Sequence, residues 1–165
     1  MIPLYHFVAG KIREECHNLE RVIRAAERSI AGAQRHPEDQ DVYINSAALN
    51  LHSFYSGLEK VFLLIAEQVD GTVPRGSHWH RDLLDQMSYD FPRIRPGILS
   101  PETRERLQEY RSFRHVVRNV YTYNLDPERV QDLVRRLPSV WSAVKADLEG
   151  FLSFLETAAQ ADVEG

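Results

Sequence analysis

One spacing constrains this chain more than any other feature. Apolar residues recur at threes, fours and sevens along most of its length, and no segment shows the two-residue alternation of a half-buried strand. Near the start, Ile12, Leu19, Val22, Ala26, Ile30 and Ala33 share a face, with Arg13, Glu14, Glu20 and Arg21 between them. That pattern predicts an amphipathic helix over about 5–34. A second stripe, Ala47, Leu51, Phe54, Leu58, Val61 and Ile65, predicts a helix over about 40–69 that Gly71 ends. Its second half is apolar almost all round, which suits the central helix of a bundle.

From Gly71 to Ser100 the period breaks at Pro74, Gly76, Pro92, Pro96 and Gly97, and only the stretch around Trp79 to Tyr89 looks helical. VPRGSH within it reads as an exposed native loop. Two helix starts follow. Ser100-Pro101-Glu102 and Asp126-Pro127-Glu128 each place a capping oxygen, a proline at the first helical position and an acid in the first turn. These starts predict a helix from Pro101 to Asn124, a sharp turn at Asn124 to Asp126, and a last helix carrying Val130, Leu133, Leu137, Trp141, Val144 and Leu148 with a bend at Pro138. The expected fold is all-α: an antiparallel up-and-down bundle of four long helices and one short one, forming a single domain over 1–165.

Composition narrows the function classes. A 165-residue chain with 43% hydrophobic residues can bury one core, and a net charge of -4 argues against a protein that coats nucleic acid through a general basic excess. The lone Cys16 has no partner for an internal disulfide, and the start of the chain lacks an apolar leader core, so a cytoplasmic setting is expected. The run Val61 to Ala66 is far too short to span a bilayer, so no membrane association is expected.

Chemistry concentrates in RHVVRNVYTYNLDPE, Arg114 to Glu128. On a helical wheel Phe113, Val116, Val117 and Val120 form the core-facing side, while Arg111, His115, Arg118 and Thr122 lie opposite, with Arg114 beside them and Asn119 further round. Arg104, Arg106, Arg111, Arg114 and Arg118 face only Glu105 and Glu109 in a protein that is acidic overall. Arginine offers a planar fork to phosphate oxygens, and an imidazole moves protons near neutral pH, so this stripe suits a metal-free phosphodiester site. It equally suits the wet side of an amphipathic helix. Leu107, Tyr110 and Tyr121 border the stripe and read either as plain packing or as a dimer contact or base-stacking wall.

RNVYTYNLD, Arg118 to Asp126, resembles the motif region of HEPN domains, especially HepT-like toxins, whose signature is an Arg, a polar residue next to it, and a His five positions after the Arg. FYSGLEKVFLLIAE and SHWHRDLLDQM are similar to the same group, and the resemblance runs from about Ala47 onward. It implies a homodimeric, metal-independent endoribonuclease acting on RNA and controlled by a minimal nucleotidyltransferase antitoxin, which in such systems adds AMP to a tyrosine near the motif. Arg118 and Asn119 match the first two motif positions, whereas Tyr123 stands where the His is expected and Leu125 where a further tyrosine is common. His115, one turn before Arg118, then becomes the candidate proton carrier, with Arg111 and Arg114 as phosphate ligands and Tyr121 or Tyr123 as the hydroxyl open to modification. The alternative is a catalytically inactive HEPN-like bundle that binds RNA or a protein.

Other constellations are weaker. Glu14, Glu15, Cys16 and His17 contain one Glu-x-x-His, but ferritin-like metal sites need a second copy, so neither a metal nor another cofactor is expected. His78 and His80 read as helix-start residues within reach of a cleft, and Glu59 as the partner of an arginine or an edge-of-core acid. Trp141, Phe151 and Phe154 read as core in preference to a partner surface. No glycine-rich phosphate loop or nucleophile elbow is present.

Overall fold

The helical spacing resolves into five α-helices in a computed structural model that describes residues 2–121 and 124–164. They are α1 (Ile2–Arg35), α2 (Gln40–Ile65), α3 (Trp79–Gln86), α4 (Pro101–Asn119) and α5 (Pro127–Glu164). A 3-10 turn at Pro37–Asp39 joins α1 to α2, and α2 widens into a π turn at Ala66–Asp70 before Gly71 closes it with a left-handed φ of 73°. The described residues contain no strand, only an isolated Phe91–Arg95 bridge. No described helix is long and apolar enough to cross a membrane.

Paired contacts fix the directions of the helices. Ser29 Oγ meets Ser46 Oγ at 2.9 Å, and a Cβ on Gly57 would meet Leu19, so α1 and α2 run antiparallel. Arg13 pairs with Glu156, and Glu20 with Lys145, which sets α5 antiparallel to α1. Tyr110 donates to the Leu133 carbonyl at 2.7 Å and Arg136 meets Glu109, which sets α4 antiparallel to α5. The result is an up-and-down bundle. Helix α2 touches all four of the others, as its apolar circumference requires. At Gly57 the added Cβ would lie 2.7 Å from Leu19, so glycine is what lets α1 approach there.

Both sequence-marked caps form. The Thr103 amide donates to Ser100 Oγ at 3.1 Å, and the Glu128 amide donates to Asp126 Oδ1 at 3.1 Å. Helix α5 continues through Pro138. Tyr110, Leu107, Trp141 and Phe151 are buried, so packing accounts for them, and Phe154 packs against the same core.

One expectation fails. Helix α4 stops at Asn119, not Asn124, and Val120 adopts extended geometry at φ -124° and is 40% exposed. Val120-Tyr121-Thr122-Tyr123 is a run of β-branched and aromatic residues with poor helix propensity, and the wheel that placed Val120 in the core holds only while the helix lasts. Phe113 is fully buried, while Val116 and Val117 are partly covered.

Candidate functional site

The polar side of α4 forms one wall of a cleft of about 670 Å3; the start of α3 and the two residues before it form the other. Arg111, Arg114, His115, Arg118 and Asn119 come from α4. Ser77, His78, His80 and Arg81 face them, so the structure assembles four arginines and three histidines around one space. Such a concentration of positive and titratable groups in a chain of net charge -4 favours anionic ligands.

Helix α2 packs a polar row against this wall, and Glu59 is its buried member. His52, Ser56 and Glu59 recur at four and three residues, one face of a helix. Glu59 is 4% exposed. Its Oε1 lies 3.2 Å from Arg114 Nη1 and its Oε2 lies 2.5 Å from His80 Nδ1. Arg114 also donates from Nε to Ser56 Oγ at 3.0 Å. A buried carboxylate held by a cation and an imidazole meets the requirement that buried charge be paired. This geometry divides the expected phosphate ligands. The charge of Arg114 is largely offset by Glu59, whereas among the described residues Arg111 meets only the neutral Gln108 at 3.0 Å and Arg118 has no hydrogen-bond or ion-pair partner.

Asn119 caps His115 from one turn below. Its Nδ2 donates to the His115 carbonyl at 2.7 Å and lies 3.3 Å from His115 Nδ1, so the amide steadies an otherwise exposed ring. Tyr121 is 72% exposed just past the end of α4. Tyr123 and Thr122 lie outside the described residues.

His52 reports the field in this region. Its pKa is held below 6.5, by burial first and then by repulsion from the Arg114 and Arg118 guanidinium groups. A depressed histidine disfavours the charged ring in the fold, so its stabilising contribution is complete above about pH 6.5 and is lost as the pH falls toward the lowered value. Two outcomes are expected. By NMR titration, Arg118→Ala should move the His52 midpoint upward, and His52→Gln should blunt the fall in melting temperature on mild acidification. An unmoved midpoint would place the Arg118 charge away from His52.

The Glu14 to His17 motif lies elsewhere. Cys16 and His17 line a separate cleft of about 350 Å3 between α1 and α5, where burial, then the Glu20 carboxylate, pushes the Cys16 thiol up to about 11. Among the described residues no three His, Cys, Asp or Glu side chains are grouped to hold a metal ion.

Fold and cleft together define a helical-bundle protein with a basic, histidine-bearing cleft against its central helix. A family model described as "HepT-like protein" matches residues 46–155, two thirds of the chain from α2 into α5. The chain belongs to the HepT-like family of HEPN-type proteins. Neither the curated proteins nor the solved structures searched contain a match.

Proposed function

We propose that the protein is the toxin of a toxin-antitoxin pair, a homodimeric and metal-independent endoribonuclease controlled by a nucleotidyltransferase antitoxin. The observation that carries this reading is the cleft in which Arg111, Arg118, His115 and Asn119 meet. Arg118 and Arg111 bind the scissile phosphate and offset the charge that grows on its oxygens during attack. His115 moves a proton, and Asn119, whose amide lies 3.3 Å from Nδ1, orients its ring. Arg114, tied to Glu59, shapes the cleft more than it neutralises phosphate. Tyr121, just past the end of α4, and Tyr123 are the hydroxyls an AMP-transferring antitoxin would modify.

A second reading is favoured by one observation. Tyr123 stands where the family's histidine is expected, which fits an inactive bundle that binds RNA or a protein. The two readings part in a single assay. Purified protein with EDTA is expected to cut single-stranded RNA, and its expression alone to arrest growth until the antitoxin is co-expressed. Intact RNA and undisturbed growth would sink the enzymatic reading, while RNA retention without cleavage would support the second.

A further inference from the structure

We propose that His80 is the second proton-transfer group of this cleft, the base that takes the 2′-hydroxyl proton of RNA, and that Glu59 positions it. The inference rests on the RNA-cleaving reading above and assigns a site residue that the family motif does not contain.

The geometry is that of an imidazole held by a carboxylate. His80 is the second residue of α3, and its ring stacks on Trp79 with centroids 3.6 Å apart. Its Nδ1 lies 2.5 Å from Glu59 Oε2. A carboxylate only accepts, so this contact places the proton on Nδ1, directed at Glu59, and leaves the Nε2 lone pair free. Arg114 Nη1 also comes within 3.2 Å of Nδ1, but a protonated Nδ1 cannot accept, so the guanidinium serves Glu59 Oε1 instead. The carboxylate is itself fixed, since Arg114 holds its other oxygen and is anchored on Ser56. Glu59 from α2, Arg114 from α4 and Trp79 from α3 thus set the ring, and its remaining edge belongs to the cleft that Arg111, His115 and Arg118 also line.

Two imidazoles in one cleft complete a metal-free transfer. Nε2 of His80 takes the 2′-hydroxyl proton, and Glu59 offsets the charge the ring gains. O2′ bonds to phosphorus, the bond from phosphorus to the 5′ oxygen breaks, and that oxygen takes a proton from His115. The products are a 2′,3′-cyclic phosphate and a 5′-hydroxyl. No electrons change hands, and no co-reactant is needed.

The competing explanation is that Glu59 and His80 only tie α3 to α2. The full chain, a single-stranded RNA oligonucleotide and EDTA separate the two through pH–rate profiles of wild type, His80→Gln, His80→Ala and Glu59→Gln, each with its melting curve. His80→Gln is expected to lower kcat by about 10²–10⁴-fold with little change in KM, and to lose the acid limb of the profile. Glu59→Gln should displace that limb with a smaller loss of rate, and added imidazole should restore part of the rate to His80→Ala. A His80→Gln protein that keeps its rate and acid limb overturns the assignment and leaves the ribonuclease reading intact. So does a His80→Ala protein that melts like wild type yet gains nothing from imidazole. A wild type that leaves RNA whole overturns both.

Discussion

An Asp70→Ala variant is expected to lose about 3–5 kcal/mol of folding stability, the cost of leaving a buried charge without its partner. The Asp70 and Arg95 side chains are both fully buried and meet in a two-pronged pair at 2.5 and 2.7 Å. Every donor of the Arg95 guanidinium is used, because the remaining three reach the carbonyls of Tyr89, Pro96 and Gln86 at 3.0 to 3.2 Å. Gln86 donates to Asp70 Oδ2 and to the Thr72 carbonyl, so one cluster ties the π turn after α2, the end of α3 and the proline-rich segment before α4. For a chain of this size 1 kcal/mol shifts the melting temperature by about 2–4 °C, so the expected drop is roughly 6–20 °C by calorimetry. A double Asp70→Leu, Arg95→Met variant should recover only part of it, since removing the guanidinium takes a donor from three carbonyls and only that of Gln86 keeps another, the Tyr89 amide at 3.1 Å. A melting temperature unchanged in Asp70→Ala would contradict the buried pair.

This cluster also shows where sequence reading stops. The helices were legible because each follows from local spacing, and the caps at Ser100 and Asp126 because they need only three or four neighbouring residues. Nothing local marks Arg95, set among prolines and glycine, as the partner of an acid 25 residues earlier. The cleft divides in the same way. The wheel placed Arg111, His115 and Arg118 together on α4, and the cleft brings them together. It also grouped Arg114 with the phosphate ligands, since a wheel gives the face of a residue and not the carboxylate that meets it from another helix. The available signal was on α2, where His52, Ser56 and Glu59 interrupt an apolar helix along one face. Bringing His80 onto that face depends on the path of residues 71–78, which helical period does not encode.

Arg118→Ala is expected to reduce RNA cleavage by about 10²–10³-fold while leaving the melting temperature within a degree or so of wild type. The two halves of this expectation have separate causes. Arg118 lies at the exposed end of α4 with no ion-pair or hydrogen-bond partner among the described residues, so its removal orphans no buried group. Its charge, like that of Arg111, meets no carboxylate among the described residues, and a guanidinium serves a phosphorane best when its fork is not engaged by a protein carboxylate. Arg114→Ala provides the contrast. It strands the Glu59 carboxylate beside His80 and should lower the melting temperature as well as the rate. Arg118→Lys should recover binding better than turnover, because an ammonium keeps the charge and loses the paired geometry. Binding measured against salt then separates the enzyme from the inactive bundle. Losing one phosphate contact should flatten the slope for single-stranded RNA by about 0.7 in either case, but only the enzyme also loses product formation. An Arg118→Ala protein that cuts RNA at the wild-type rate would remove this arginine from the site.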